Sequence, residues 1–152
     1  MSAVKGIAKE TLEFIMEVSK STYPKEFAGL METKDGVITD ILILPGTESS
    51  EVNAILKLFM MPNIAAAGSV HSHPSSIIKP SKADLRLFSK TGTHHIIVGH
   101  PYGPDNWKCF NGSGKKYILK YSTLKSRMLN CFKANYLLEE LLGPKKAFNI
   151  SP

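Results

Sequence analysis

The run from Ala65 to Asp84 constrains this chain more than any other part of it. Residues Ala65-Ala66-Ala67-Gly68-Ser69-Val70 are small and apolar enough to form a buried strand, and His71-Ser72-His73-Pro74 continues it. On a strand, side chains at i and i+2 share a face, so His71 and His73 can present two imidazoles to one metal ion. Asp84 lies eleven residues beyond His73, and a loop can bring its carboxylate back to the same ion. Three protein ligands and a water make up a catalytic zinc site, because the open position is where chemistry occurs.

Each of these residues also has a plainer reading. Neutral imidazole is a common ligand but also a common core or surface side chain. Ser81-Lys82-Ala83-Asp84 fits a helix capping box, with Ser81 as N-cap and Asp84 three residues on. In that role Asp84 is a helix-start carboxylate satisfying backbone amides. The histidine pair, the proline after it, the Pro80-Ser81 helix start and the aspartate together favour the metal.

The segment resembles the signature of the JAB/MPN metalloprotease family, also called JAMM, in which His-x-His-Pro is followed by Ser-x-x-Asp. The spacings from His73 to Ser81 and from His73 to Asp84 match the family, and a signature of this length is more specific than a short motif. The family also uses a glutamate in a segment resembling Glu-x-x-Gly-x-Leu. Glu26-Phe27-Ala28-Gly29-Leu30-Met31 follows that pattern with methionine in the last position. The resemblance therefore implies zinc held by His71, His73 and Asp84, with Glu26 as general base and Ser81 donating a hydrogen bond to the oxyanion. Position alone makes Glu26 a solvated strand-start carboxylate and Ser81 a helix cap. Glu10, Glu13 and Glu17 lie in a helical pattern and fit the role of base less well.

Composition sets the outer bounds. A chain of 152 residues, 43% hydrophobic and 21% charged, suits one soluble domain with one core. No apolar run approaches the roughly 20 residues of a membrane span, and Met1 to Gly6 has no apolar signal core. Cys109 and Cys131 are too few for a disulfide framework and lack Cys-x-x-Cys spacing. Both read as packing thiols in a reducing cytoplasm. The net charge of +6 comes almost wholly from scattered lysine, with Arg86 and Arg127 the only arginines. That pattern favours solubility and weak attraction to acidic partners over nucleic-acid binding, which would call for an arginine stripe with interleaved aromatics.

Apolar residues at near-helical spacing predict a first helix over 7–20, ended by Ser21-Thr22-Tyr23-Pro24. Phe27–Thr33 and Val37–Leu44 predict a hairpin around Lys34-Asp35-Gly36. Strands are expected at Val52–Met61, Ala66–His73 and His95–Gly99, and a second helix at Ser81–Lys90. Trp107–Phe110 and Tyr117–Tyr121 flank the hairpin turn Asn111-Gly112-Ser113-Gly114. A final helix runs from Ser122 or Thr123 to Leu142, stopped by Gly143-Pro144. This order gives an α/β architecture across 1–152, a mixed β-sheet flanked by helices. It is similar to the JAB/MPN fold, of cytidine-deaminase-like architecture. The departure is residues 45 to 66, compact here where deubiquitinating relatives commonly carry a longer helical segment. Asn111-Gly112-Ser113 matches a glycosylation sequon, but Asn-Gly in a hairpin needs no sugar. His94 and His95 are adjacent on a strand and face opposite ways, and His100 reads as a loop residue.

The resemblance implies a zinc-dependent peptidase or isopeptidase acting on an amide at the C-terminus of a ubiquitin-like or sulfur-carrier-like protein. Base deaminases need His-x-Glu with Pro-Cys-x-x-Cys, which is absent, as is the His-Glu-x-x-His of common metalloproteases. No Ser-His-Asp logic is present. A non-catalytic scaffold of the same fold, whose members typically lose metal ligands, is the rival. A DNA-repair relative using its lysines on phosphates is the third reading, marked by salt-dependent DNA binding.

Overall fold

The computed structural model describes residues 3–43 and 66–122. The expected strand at 52–61 and the helix after Ser122 lie outside the described residues.

A three-residue strand, β1 (Gly6–Ala8), leads directly into helix α1 (Lys9–Thr22). Thr11, Leu12, Ile15, Met16 and Ser19 are the buried residues of α1, a single stripe at helical spacing. The N-cap, Ala8, makes no side-chain hydrogen bond, so packing rather than capping anchors this helix. Each fully buried Leu, Ile or Met contributes roughly 1.5–3 kcal/mol, against about 1 kcal/mol for a good cap. Thr11 adds a hydrogen bond from Oγ1 to the Thr39 carbonyl at 2.9 Å.

The expected hairpin forms β2 (Ala28–Lys34) and β3 (Val37–Ile43). Asp35 and Gly36 turn at φ of 53° and 80°, the left-handed pair that a tight two-residue hairpin requires. The pairing shifts between Glu32 and Thr33. This bulge lets Ile38 and Ile41, three residues apart, both enter the core beneath α1.

Strand β4 (Gly68–His73) pairs antiparallel to β2 and parallel to β5 (His94–Gly99). Helix α2 (Lys82–Phe88) makes the crossover between these two parallel strands. Strand β6 (Trp107–Phe110) lies antiparallel to β5, and β7 (Lys116–Tyr117) pairs with β6. The last described strand, β8 (Lys120–Ser122), pairs parallel with β1 at the opposite edge. The sheet order is therefore β7-β6-β5-β4-β2-β3-β1-β8.

Two expectations need correction. Ile7 belongs to β1, not to the first helix, because it is paired on both sides, with β3 and β8. Tyr117–Tyr121 is not one strand. Lys116–Tyr117 closes the hairpin on β6, and the chain then crosses to β1, with Leu119 buried in the core under α1 on the way.

The α1 face holds Ile7, Leu12, Ile15, Met31, Val70, Ile96, Val98 and Cys109 among others. The opposite face carries a smaller cluster of Ile78, Phe88, Ile97 and Phe110 beneath α2. At Gly68 the backbone of β5 leaves no room for a side chain, since a Cβ there would overlap the His94 carbonyl. With α1 on one side of β4 and α2 on the other, the histidines open onto the α2 side.

Candidate metal centre

His71 and His73 project from the end of β4 onto the face that carries α2. Ser72, between them, points the other way and is fully buried. The Nε2 atoms of the two histidines stand 3.0 Å apart. One Asp84 oxygen lies 3.1 Å from His71 Nε2 and the other 3.6 Å from His73 Nε2. Among the described residues these three form one group of side chains able to hold a metal ion.

Each ligand is oriented by the fold. His73 Nδ1 pairs with the Ile77 carbonyl at 2.9 Å. With the hydrogen on Nδ1, that bond leaves the Nε2 lone pair turned inward. The loop carrying Ile77 can lie this close because β5 ends in Gly99, where a Cβ would come 2.7 Å from Ile78 Cγ1 and 3.1 Å from the Ser75 carbonyl. Asp84 is fixed by its helix. The Ser81 amide donates to Asp84 Oδ2 at 2.6 Å, and the Asp84 amide donates to Ser81 Oγ at 3.1 Å. The capping box is thus complete, and the same carboxylate still faces both imidazoles.

Phe88 seats α2 on the sheet. It lies four residues after Asp84, on the same helix face. Its ring stacks on His95 with centroids 4.0 Å apart and planes 7° apart, and lies 6.4 Å from the His71 ring. His95 is fully buried, with Nδ1 2.9 Å from Ser69 Oγ. It contributes to the packing that sets the height of the helix and is no part of the ligand group. His94, at the start of the same strand, is half-buried and bonds Thr93. The opposite-face reading of this pair holds. His100 is an exposed loop residue whose ring packs on Tyr23 at 4.9 Å.

Electrostatics follow the geometry. Burial opposes ionisation of Asp84, but hydrogen bonds from His71 and His73 outweigh it and hold the carboxyl well below its ordinary range. The hydrogen bond to Asp84 raises His73 above 6.5 against the effect of burial, and the Ile77 carbonyl and the charges of Asp84 and Glu26 add to it. Burial pushes His95 down to about 4.

The donor set fits a divalent ion. Tetrahedral zinc with nitrogen and oxygen ligands at about 2.0–2.1 Å puts its ligands roughly 3.3–3.4 Å from one another, and the three separations here bracket that value. His71 Nδ1 is buried without a hydrogen-bond partner, while its Nε2 meets His73 Nε2 and an Asp84 oxygen, a donor set of two imidazole nitrogens and a carboxylate that suits a divalent cation.

Glu26 is exposed and sits two residues before β2. Because β2 runs antiparallel to β4 with Ala28 opposite His71, Glu26 lies at the end of β4 that carries His73, and it is not among the three grouped ligand residues. Ser81 is exposed at the start of α2. The sequence reading missed three contributors: Ser72, Gly99 and Tyr102. Ser72 was legible only as the residue between the histidines. Gly99 was legible as a glycine closing an apolar strand. Tyr102 had no signal, because its partner is a backbone carbonyl 29 residues away.

A mixed sheet with a His–His–Asp group at the mouth of a central strand defines an α/β domain with, among the described residues, one candidate metal centre. The model of the prokaryotic homologs of the JAB domain matches residues 8–110. A probable metalloprotease of Haloferax volcanii is 44% identical over 123 residues, 74% of this chain and 76% of that protein. A solved JAMM structure, described as a metalloprotease-like zinc site in the proteasome and signalosome, is 32% identical. It covers 79% of this chain and 99% of its own, with a TM-score of 0.65. A JAB1/MPN domain protein from Archaeoglobus fulgidus, also 32% identical, covers 80% and 99%, with a TM-score of 0.63. The chain belongs to the JAB-domain family in its prokaryotic branch and is metalloprotease-like. Among the described residues no helix is long and apolar enough to cross a membrane.

Proposed function

We propose that this protein is a zinc-dependent peptidase or isopeptidase, with His71, His73 and Asp84 holding the ion, Glu26 moving the proton and Ser81 supporting the oxyanion. The observation that carries the reading is the convergence of three ligand atoms at separations of 3.0, 3.1 and 3.6 Å.

A divalent ion bound there would polarise an amide carbonyl and lower the pKa of a coordinated water from 15.7 toward about 7. The protein's own groups do the rest. Glu26 takes the proton of the attacking water and returns it to the departing amine. Ser81 Oγ already accepts the Asp84 amide, so its hydroxyl hydrogen can be donated to the developing oxyanion. Asp84 keeps its charge across the working pH range because both histidines stabilise it. Two imidazoles and one carboxylate also suit other divalent ions; the preference for zinc is supported by likeness to the JAMM structure described as a metalloprotease-like zinc site.

The substrate in this reading is a protein, a ubiquitin-like or sulfur-carrier-like chain whose C-terminus is joined through an amide. Membership of the JAB family supports this assignment. Scattered lysine disfavours nucleic acid as substrate, and retention of every ligand disfavours a pure scaffold. The buried free thiol of Cys109 suits a reducing cytoplasm, and residues 1–152 are taken as one domain.

Metal analysis of the purified chain tests the reading, with near one zinc per chain expected and none in His73→Ala. Glu26→Gln should retain zinc and lose hydrolysis of an isopeptide-linked or linear ubiquitin-like fusion. A wild-type chain that is metal-free and cannot be loaded sinks the proposal.

A further inference from the structure

We propose that Ser72 and Tyr102 are positioning residues, two buried hydroxyls that together set how Glu26 and His73 stand toward one another, Ser72 from the Glu26 side and Tyr102 from the His73 side. The inference rests on the metal-site reading above and adds residues that the family signature does not carry.

Ser72 grips Phe27 at both ends. The Ser72 amide donates to the Phe27 carbonyl at 2.8 Å, as in an ordinary antiparallel ladder. The return bond is different, because the Phe27 amide donates at 2.8 Å to the Ser72 hydroxyl. A side chain thus accepts where a ladder would use a carbonyl. The amide it holds belongs to the peptide bond joining Glu26 to Phe27, so Ser72 fixes the plane from which the Glu26 side chain departs.

The Tyr102 hydroxyl donates to the His73 carbonyl at 3.1 Å. Ser72 therefore holds the Glu26–Phe27 peptide, and Tyr102 holds the backbone of His73, the next residue along β4.

Two further observations mark this as a built arrangement. Tyr102 is 2% exposed although it carries a polar hydroxyl, and its backbone sits at φ of 60°. A bulky residue rarely adopts that region unless its surroundings impose it, and such positions cluster at functional sites. The Tyr102 amide donates to the Gly99 carbonyl at 2.8 Å, which anchors it to the end of β5 beside the metal strand. Both hydroxyls are therefore fastened to backbone of the candidate site, one at the Glu26–Phe27 peptide and one at the His73 carbonyl.

The test uses the full chain loaded with cobalt in place of zinc and follows the visible absorption of the bound ion against pH. Glu26→Gln defines the direction in which the titration midpoint moves when the base is lost. Ser72→Ala and Tyr102→Phe are expected to keep one cobalt per chain and to move the midpoint in that same direction. The expected size is about half a pH unit or more. Ser72→Thr, which keeps the hydroxyl, should restore the wild-type curve. Tyr102→Phe removes only an oxygen and is read in the same way, so the result stands on either variant. A merely structural role would lower thermal stability and leave the midpoint where it was, which overturns the inference while the metal site stands. A wild type that takes up no cobalt overturns the metal-site reading and this inference with it.

Discussion

His71 and His73 face each other through Nε2 across 3.0 Å, with one oxygen of Asp84 set against each. In the metal-free protein a proton must sit in this group, and the bond to Asp84 holds it on His73 above pH 6.5. A metal has to displace that proton. Affinity should therefore fall as pH drops, by about tenfold per unit below the His73 pKa for one displaced proton. Chelator competition from about pH 8 to about pH 5.5 reads this slope, and a flat profile would contradict the ligand assignment.

Ser81 and Asp84 cap a helix and, in the proposed site, also do chemistry, and substitution separates the two roles. Ser81→Ala removes the acceptor of the Asp84 amide and should cost about 1 kcal/mol of stability while leaving metal bound. Asp84→Asn keeps a side-chain acceptor for the Ser81 amide but loses the charge. It should change stability by less than ~1 kcal/mol and weaken metal binding at least ~10-fold. Denaturant melts paired with metal titration distinguish the two patterns.

Stability of the metal-free protein should peak near pH 6.5. His73 is raised in the fold, so its contribution is fully present below its unfolded value of 6.5 and is lost as pH rises through the folded value. His95 behaves oppositely. Burial lowers it from 6.5 to about 4, so stability declines as pH falls across that range, by roughly 3 kcal/mol in all. Asp84, held low, adds a further loss once pH falls below its unfolded value of 3.8. Urea midpoints against pH should trace this shape, and His95→Gln should flatten the limb between pH 6.5 and 4. An acid limb that survives this substitution would rule out His95 as its source.

Gly99→Ala should act at a distance. The new Cβ meets Ile78 Cγ1 at 2.7 Å and the Ser75 carbonyl at 3.1 Å, which pushes out the loop whose Ile77 carbonyl orients His73. A stability loss of about 1–3 kcal/mol is expected, together with weaker metal binding. Calorimetry with and without zinc measures both, and metal affinity unchanged beside a lower Tm would show that the loop does not set His73.

Much of this was legible along the chain because it is local. A two-residue spacing puts His71 and His73 on one face of any strand. Ser81 and Asp84 announce a helix start three residues apart, and Asp35-Gly36 announces a turn. The capping box and the metal group were compatible readings of Ser81 and Asp84 in the sequence. Both hold in the structure because a carboxylate has two oxygens, one turned to the Ser81 amide and both still within reach of imidazole. The misplaced elements were the short ones. Three residues of β1 carry no periodicity, and only pairing with β3 and β8 makes them a strand.

The sequence by itself determined which side chains can bind a metal, that two of them share a strand face, and that a third begins a helix. Only the tertiary structure decided that they meet. The crossover from β4 to β5 brings α2 back over the sheet, and Phe88 stacked on His95 sets its height. The bond from Phe27 to Ser72 spans 45 residues and ties the segment after Glu26 to the strand that carries the histidines. The physical reason is range. Spacing and capping act over a few residues and can be read in order, whereas packing and long-range side-chain-to-backbone hydrogen bonds act between segments that sequence does not place side by side.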